Sequence, residues 1–161
     1  DNLTGLASRP LLLDNLQSIV TNNEAAAVAF LDLDNFKPVN DNYGHDTGDY
    51  VLVTIANRLK QILRKSDTLS RIGGDEFVAM LHQSTIEESY EMMQALSDAI
   101  QECVNANQQY SDSGLGVSIG ITPYWQNESR RVVLQRADNA CYESKRHGKH
   151  QITIYEVQGP A

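Results

Sequence analysis

Arg71-Ile72-Gly73-Gly74-Asp75-Glu76-Phe77 separates two runs of strand character, Thr68 to Ile72 before the glycines and Phe77 to Leu81 after the acids. The paired glycines fall where a tight turn calls for positive φ, so the stretch predicts a β-hairpin. Two carboxylates follow the glycines directly. Glycine adds no side chain, which lets a metal or a nucleotide lie over the backbone and meet the acids beside it. Taken alone, the same residues also suit an ordinary solvated turn.

A second acidic segment, Phe30-Leu31-Asp32-Leu33-Asp34-Asn35-Phe36-Lys37, bears on that choice. Ala25 to Leu31 is an apolar run of strand length, the pattern of a buried central strand, with Asp32 and Asp34 at its C-terminal end. Alternation along a strand puts both carboxylates on one face. Two such groups repel unless a cation lies between them, and Mg²⁺ favours that setting when it also takes phosphate oxygens. Asp34 has a second reading, as the cap of a following helix.

These segments belong to a longer ordered set. Asp1-Asn2-Leu3-Thr4-Gly5-Leu6 and Arg9 open the chain; Asn40-Asp41, Gly44-His45 and Gly48-Asp49 follow the acidic segment; Ala137-Asp138, Tyr142, Lys145 and Gly148 come last. Together they resemble the GGDEF domain, the diguanylate cyclase family, over nearly the whole chain. Residues 1–161 are accordingly expected to form a single such domain, excised from a longer signalling protein whose sensor, linker helix or membrane anchor lies outside it.

Composition agrees with one soluble domain able to bury a real core. The formal charge of −8 argues against a nucleic-acid surface, which needs lysine and arginine to neutralise phosphates. An acidic domain that binds an anionic nucleotide needs a metal and a few local cations to reverse the field at its site. No run approaches the roughly 18 apolar residues of a membrane span, and no leader precedes the first motif, so no membrane contact is expected. Cys103 and Cys141 fall on apolar helical faces without ligand spacing, which predicts core thiols in a reduced, cytoplasmic setting. An inner-membrane tether would belong to the missing N-terminal region.

Periodicity predicts helices over Leu11 to Val20, Tyr50 to Leu63, Ile86 to Val104 and Arg131 to Ser144. In the third of these, Tyr90, Met93, Leu96, Ile100 and Cys103 form the expected core face. Strands are predicted over Ala25 to Leu33, the two arms of the hairpin, Leu115 to Trp125 and Ile152 to Tyr155. Helices packed on a mainly antiparallel sheet make an α/β (α+β) sandwich. The resemblance implies the palm-like βαββαβ core of class III nucleotide cyclases, in which the end of the first strand adjoins the hairpin.

The resemblance also implies chemistry: two GTP molecules join into cyclic di-3′,5′-guanylate with loss of two pyrophosphates, using Mg²⁺ or Mn²⁺, two per active site. It assigns Asp32, the Leu33 carbonyl and Asp75 as metal ligands, and Asp75 or Glu76 as the base. Asn40 and Asp49 match the family's guanine contacts, with His45 assigned to substrate; Asp49 alone also reads as a helix-start acid. Phosphates are assigned to the main chain of Asn35-Phe36 and to Lys37, Lys145 and Lys149. Lys149-His150 stands where the family commonly has Arg-Asn, which replaces a bidentate clamp by a point charge. Arg64-Lys65-Ser66-Asp67 matches the family's RxxD product-inhibition site. Catalysis is expected to need a homodimer, the excised domain being a monomer at low concentration. The alternative is a catalytically silent receptor for cyclic diguanylate or GTP that regulates an attached phosphodiesterase domain.

Overall fold

The apolar run that ends in Asp32-Leu33-Asp34 is the middle strand of a five-stranded sheet. The computed structural model describes residues 1–19, 26–125 and 128–155; Val20 and Ala25, expected ends of the first helix and strand, lie outside them. In chain order the elements are α1 (Arg9–Ile19), β1 (Ala26–Asp34), α2 (Phe36–Tyr43), α3 (His45–Ile62), β2 (Thr68–Arg71), β3 (Glu76–His82), α4 (Ile86–Ala106), β4 (Gly116–Tyr124), α5 (Arg130–Arg146) and β5 (Ile152–Ile154). The strand order is β2-β3-β1-β4-β5. All pairings are antiparallel except β4 with β5, which the crossover through α5 makes parallel.

Burial on both faces explains why β1 is apolar without alternation. Ala27, Ala29, Leu31 and Leu33 pack in one core with Leu52, Ile55, Leu59, Met93, Leu96 and Ile100, from α3 and α4. Ala26, Val28 and Phe30 pack on the other side with Leu12 of α1 and Leu134, Ala137 and Cys141 of α5. The result is the expected sandwich, with the βαββαβ order from β1 to β4 once the short α2 inserted ahead of α3 is set aside. Asp32 and Asp34 continue the second set, so both point to the α5 side. Close packing there rests on Gly120: a Cβ at that position would lie 2.1 Å from the Cys141 nitrogen. Among the described residues no helix is long and apolar enough to cross a membrane.

Three expectations need correction. Neither Gly73 nor Gly74 adopts the left-handed region; the connection is wider than a two-residue turn, with the Ile72 N–H bonded to the Glu76 carbonyl at 3.0 Å. Gly73 is required for a different reason, since a Cβ there would meet Glu76 Oε1 at 2.1 Å. The helix expected from Tyr50 starts at His45, and the separate helix α2 precedes it. The first turn of α3, His45-Asp46-Thr47-Gly48, holds no apolar side chain, so apolar periodicity carries no signal there. Tyr90 is 39% exposed; the core face of α4 runs instead through Ser89, Met93, Leu96, Ile100 and Val104. Cys141 is buried and Cys103 half-buried, both as free thiols.

Candidate active site

Register brings the two acidic segments together. Asp32 of β1 lies opposite Glu76 of β3, and the Leu33 N–H donates to the Asp75 carbonyl at 3.0 Å. The turn itself is held by Arg71, whose guanidinium donates to the Gly74 carbonyl at 2.8 Å and pairs with Asp1 at 3.2 Å. Burial pushes the Asp32 carboxyl up to about 6; Asp75 and then Glu76 add to the shift, and Lys145 opposes it. Glu76 is likewise raised, first by burial and then by Asp75 and Asp138, with Arg9 and Lys145 acting against them. Negative charge is therefore in excess at this end of the sheet.

Lys145, in the last turn of α5, is the cation that reaches into it. Its ammonium lies 3.4 Å from Asp32 Oδ1, 3.2 Å from Asp34 Oδ1 and 3.4 Å from the Leu33 carbonyl. Asp34 does not cap a helix. Asn35 occupies that position in the left-handed region, without a side-chain cap bond, and donates to the Gly114 carbonyl at 2.8 Å. Lys149 donates to Asn35 Oδ1 at 3.0 Å, so both lysines converge on the β1–α2 junction where Phe36 and the exposed Lys37 begin the helix.

Asn40 and His45 sit across the α2–α3 junction with Asn40 Nδ2 and His45 Nδ1 3.0 Å apart. Asp49 is exposed in the second turn of α3; the first-turn acid is Asp46 and the cap is Gly44. The helix-start reading of Asp49 therefore has no geometric support.

Arg64 and Asp67 stand apart from these residues, at the opposite end of β3 from Glu76, roughly 20 Å of strand away. Asp67 is fully buried at its side chain while Arg64 is partly exposed. Asp67 accepts from the Arg64 N–H, Nε and Nη2 and from the His82 N–H, and Arg64 Nη2 also donates to the His82 carbonyl at 2.6 Å. Hydrogen bonding to Asp67 raises the Arg64 pKa.

Among the described residues, no three His, Cys, Asp or Glu side chains gather closely enough to hold an ion unaided. A site that takes Mg²⁺ with one or two carboxylates and completes it with phosphate oxygens needs no such cage. The donor set fits that case, because a cation, the Lys145 ammonium, already bridges the Asp32 carboxylate and the Leu33 carbonyl.

Arg9 and Asp138, far from the hairpin in the chain, come close to it in the fold. Both line a cleft of about 390 Å³ between α1 and α5 that Glu76 and Phe30 also border. The seven-residue spacing of Asp138 and Lys145 along α5, two helical turns, was the signal available.

The carboxylates at the end of the middle strand and on the adjoining hairpin thus meet at one end of a palm-like sheet. The family described as diguanylate cyclase, GGDEF domain, matches residues 1–151, and the chain belongs to it. Diguanylate cyclase DgcP of Pseudomonas aeruginosa is 36% identical over 160 residues, which cover 96% of this chain and 23% of that protein. The bifunctional diguanylate cyclase/cyclic di-GMP phosphodiesterase MucR of the same species is 34% identical, over 97% of this chain and 23% of that protein. The chain thus spans about a quarter of the length of these relatives. The solved GGDEF domain of DgcB from Caulobacter crescentus, in complex with c-di-GMP, matches with a TM-score of 0.84 at 29% identity, covering 96% of this chain and 94% of that one.

Proposed function

We propose that this chain is a diguanylate cyclase that condenses two GTP molecules into cyclic di-3′,5′-guanylate and releases two pyrophosphates. The observation that supports it most is the meeting of Asp32, Asp75 and Glu76 at one end of β1, with Lys145 beside Asp32 and Lys149 at the adjoining Asn35. Asp32, the Leu33 carbonyl and Asp75 would hold Mg²⁺ or Mn²⁺, two per site. When bound, the metal stabilises charge on the phosphates and lowers the pKa of the attacking hydroxyl.

The chain's own residues bind and orient. Asp49 accepts from the guanine N1–H and amine, Asn40 completes that edge, and His45 supports Asn40. Main-chain N–H groups of Asn35-Phe36, with Lys37, Lys145 and Lys149, hold the triphosphate. Asp75 or Glu76 accepts the proton of the 3′-hydroxyl. Arg64, oriented by the buried Asp67, takes the cyclic product and slows further synthesis. Each copy holds one GTP, so turnover requires a two-fold homodimer with the nucleotides facing each other. One observation favours the silent-receptor reading: Lys149, in place of the family's usual arginine, already donates to Asn35.

Incubation with GTP or ATP and Mg²⁺, with products separated by chromatography, tests the proposal. Cyclic diguanylate from GTP alone, at a rate per molecule that rises with protein concentration, is expected. Absence of product at concentrations where scattering shows dimers would reject the cyclase in favour of the receptor.

A further inference from the structure

Asp34 is the acid that the metal assignment leaves unused. Its side chain is fully buried, where an unpaired anion would be costly. Donors from separate parts of the fold satisfy it. The Ser118 hydroxyl of β4 donates to Oδ1 at 2.7 Å, Lys145 Nζ to the same oxygen at 3.2 Å, and the His150 N–H to Oδ2 at 3.0 Å.

The His150 bond matters because of the backbone that carries it. Gly148, Lys149 and His150 have consecutive φ values of 115°, 67° and 53°. Left-handed conformations at two successive non-glycine residues cost energy and persist only where surrounding bonds impose them. The bonds that hold it include Lys149 N–H to the Ser144 carbonyl and His150 N–H to Asp34, both at 3.0 Å, and Gln151 Nε2 to the Lys149 carbonyl at 3.3 Å. This turn delivers the Lys149 ammonium to Asn35, the residue that follows the Asp34 carboxylate to which Lys145 is paired.

We propose that Asp34 is a positioning residue for phosphate binding, aiming Lys145 by direct ion pairing and Lys149 through the His150 N–H. The inference rests on the nucleotide reading above. A lysine is a point charge on a flexible stem, so presetting two of them against one triphosphate must come from groups that fix the stems and the backbone. With its oxygens committed to those donors, Asp34 acts on nucleotide affinity and not on the reacting atoms.

Asp34→Asn keeps the shape and removes the charge that fixes Lys145. The test measures kcat and KM for GTP, and calorimetric binding of a non-hydrolysable GTP analogue with Mg²⁺, in wild type, Asp34→Asn, Lys145→Met and the double variant, each checked for fold by circular dichroism. Asp34→Asn is expected to raise KM and Kd about tenfold, the scale of one charge-assisted hydrogen bond, while kcat stays within about threefold. The double variant should lose less than the product of the single losses. Ser118→Ala, which loosens the same carboxylate without removing it, should shift KM in the same direction by a smaller factor, and serves if Asp34→Asn folds poorly. Unchanged KM and Kd in both variants would overturn the inference, as would a collapse of kcat with a shifted metal requirement, which would make Asp34 a metal ligand. A wild-type domain that binds no GTP analogue overturns the nucleotide reading and this inference with it.

Discussion

Two cations of α5, Arg136 and Lys145, meet opposite circumstances. Arg136 donates to Thr122 Oγ1 at 3.0 Å, to the Pro123 carbonyl at 2.8 Å and to both oxygens of Glu128, and its guanidinium lies 4.9 Å and 5.2 Å from the ring centres of Trp125 and Tyr155. Although burial works the other way, hydrogen bonds from Arg136 and Trp125 hold the Glu128 carboxyl below its ordinary value. Lys145 instead faces Asp32 and Asp34 together, with Asp75 and Glu76 close by, and Asp32 still rises to about 6. One cluster neutralises itself. The other keeps unbalanced negative charge, the arrangement expected where a ligand must complete it.

Substitution should separate the two ends most sharply. Asp32→Asn or Asp75→Asn is expected to reduce cyclic diguanylate formation by at least roughly a thousandfold, about 4 kcal/mol of transition-state stabilisation, while the metal-free melting temperature holds or rises. Arg136→Ala should do the reverse, costing roughly 2–4 kcal/mol of stability and leaving kcat and KM close to wild type. Product assays paired with denaturant unfolding check both. Retained turnover in the aspartate variants would remove the functional half of the contrast, and a stable Arg136→Ala would remove the structural half.

Acidity sharpens the same point. Without metal, folded Asp32 binds its proton more tightly than the unfolded chain, because its pKa moves from 3.8 to about 6. In that window the folded state holds more protons, so its stability falls as pH rises across it, and the Glu76 shift has the same sign. Metal prefers the ionised group, so the stabilisation that Mg²⁺ confers should grow as pH rises through about 6. Melts of wild type and Asp32→Asn from about pH 4 to about pH 8, with and without Mg²⁺, measure this. A wild-type stability that tracked Asp32→Asn at every pH would show that burial and Asp75 do not strain the carboxylate.

Much of this architecture was legible. The apolar β1, the hairpin and the amphipathic α3 follow from local pattern, because each must bury a continuous face. The family resemblance named Asp32, Asp75 and Glu76 as neighbours. What local pattern could not show was closure over long sequence distances: Ser118 against Asp34, or Arg9 and Asp138 beside Glu76. Short α2 leaves no periodic pattern, because only Val39 of its residues is buried. At the paired glycines the pattern points to a positive φ, whereas the constraint in the fold is steric, set by where Glu76 folds.

Arg64 and Asp67 form a third charged pair, intermediate between the two ends of α5. Asp67 is saturated by backbone and guanidinium donors, so Asp67→Ala leaves the His82 and Arg64 N–H groups unpaired and should cost roughly 1–3 kcal/mol of stability. Arg64→Ala keeps those backbone bonds and removes only the partly exposed fork. It should raise the concentration of cyclic diguanylate needed for inhibition about tenfold with the initial rate unchanged. Inhibition curves that overlay the wild type would leave this pair a structural tie between the start of β2 and the end of β3.

The smallest effect belongs to Asp49, an exposed carboxylate whose selectivity would depend on the guanine edge covering it. An acceptor placed against N1–H and the exocyclic amine disfavours adenine by being left unpaired, and the penalty grows with how fully the complex excludes water. In an exposed helical position that exclusion is partial, so Asp49→Ala should erode the preference for GTP over ATP by about tenfold, well short of abolishing it. Fold and metal response should stay as in wild type, because Asp49 has no part in the carboxylate cluster. Competition calorimetry with non-hydrolysable GTP and ATP analogues measures the ratio directly. Should the ratio stay put while both affinities fall together, Asp49 would be shaping the α2–α3 surface and Asn40 would carry the discrimination alone.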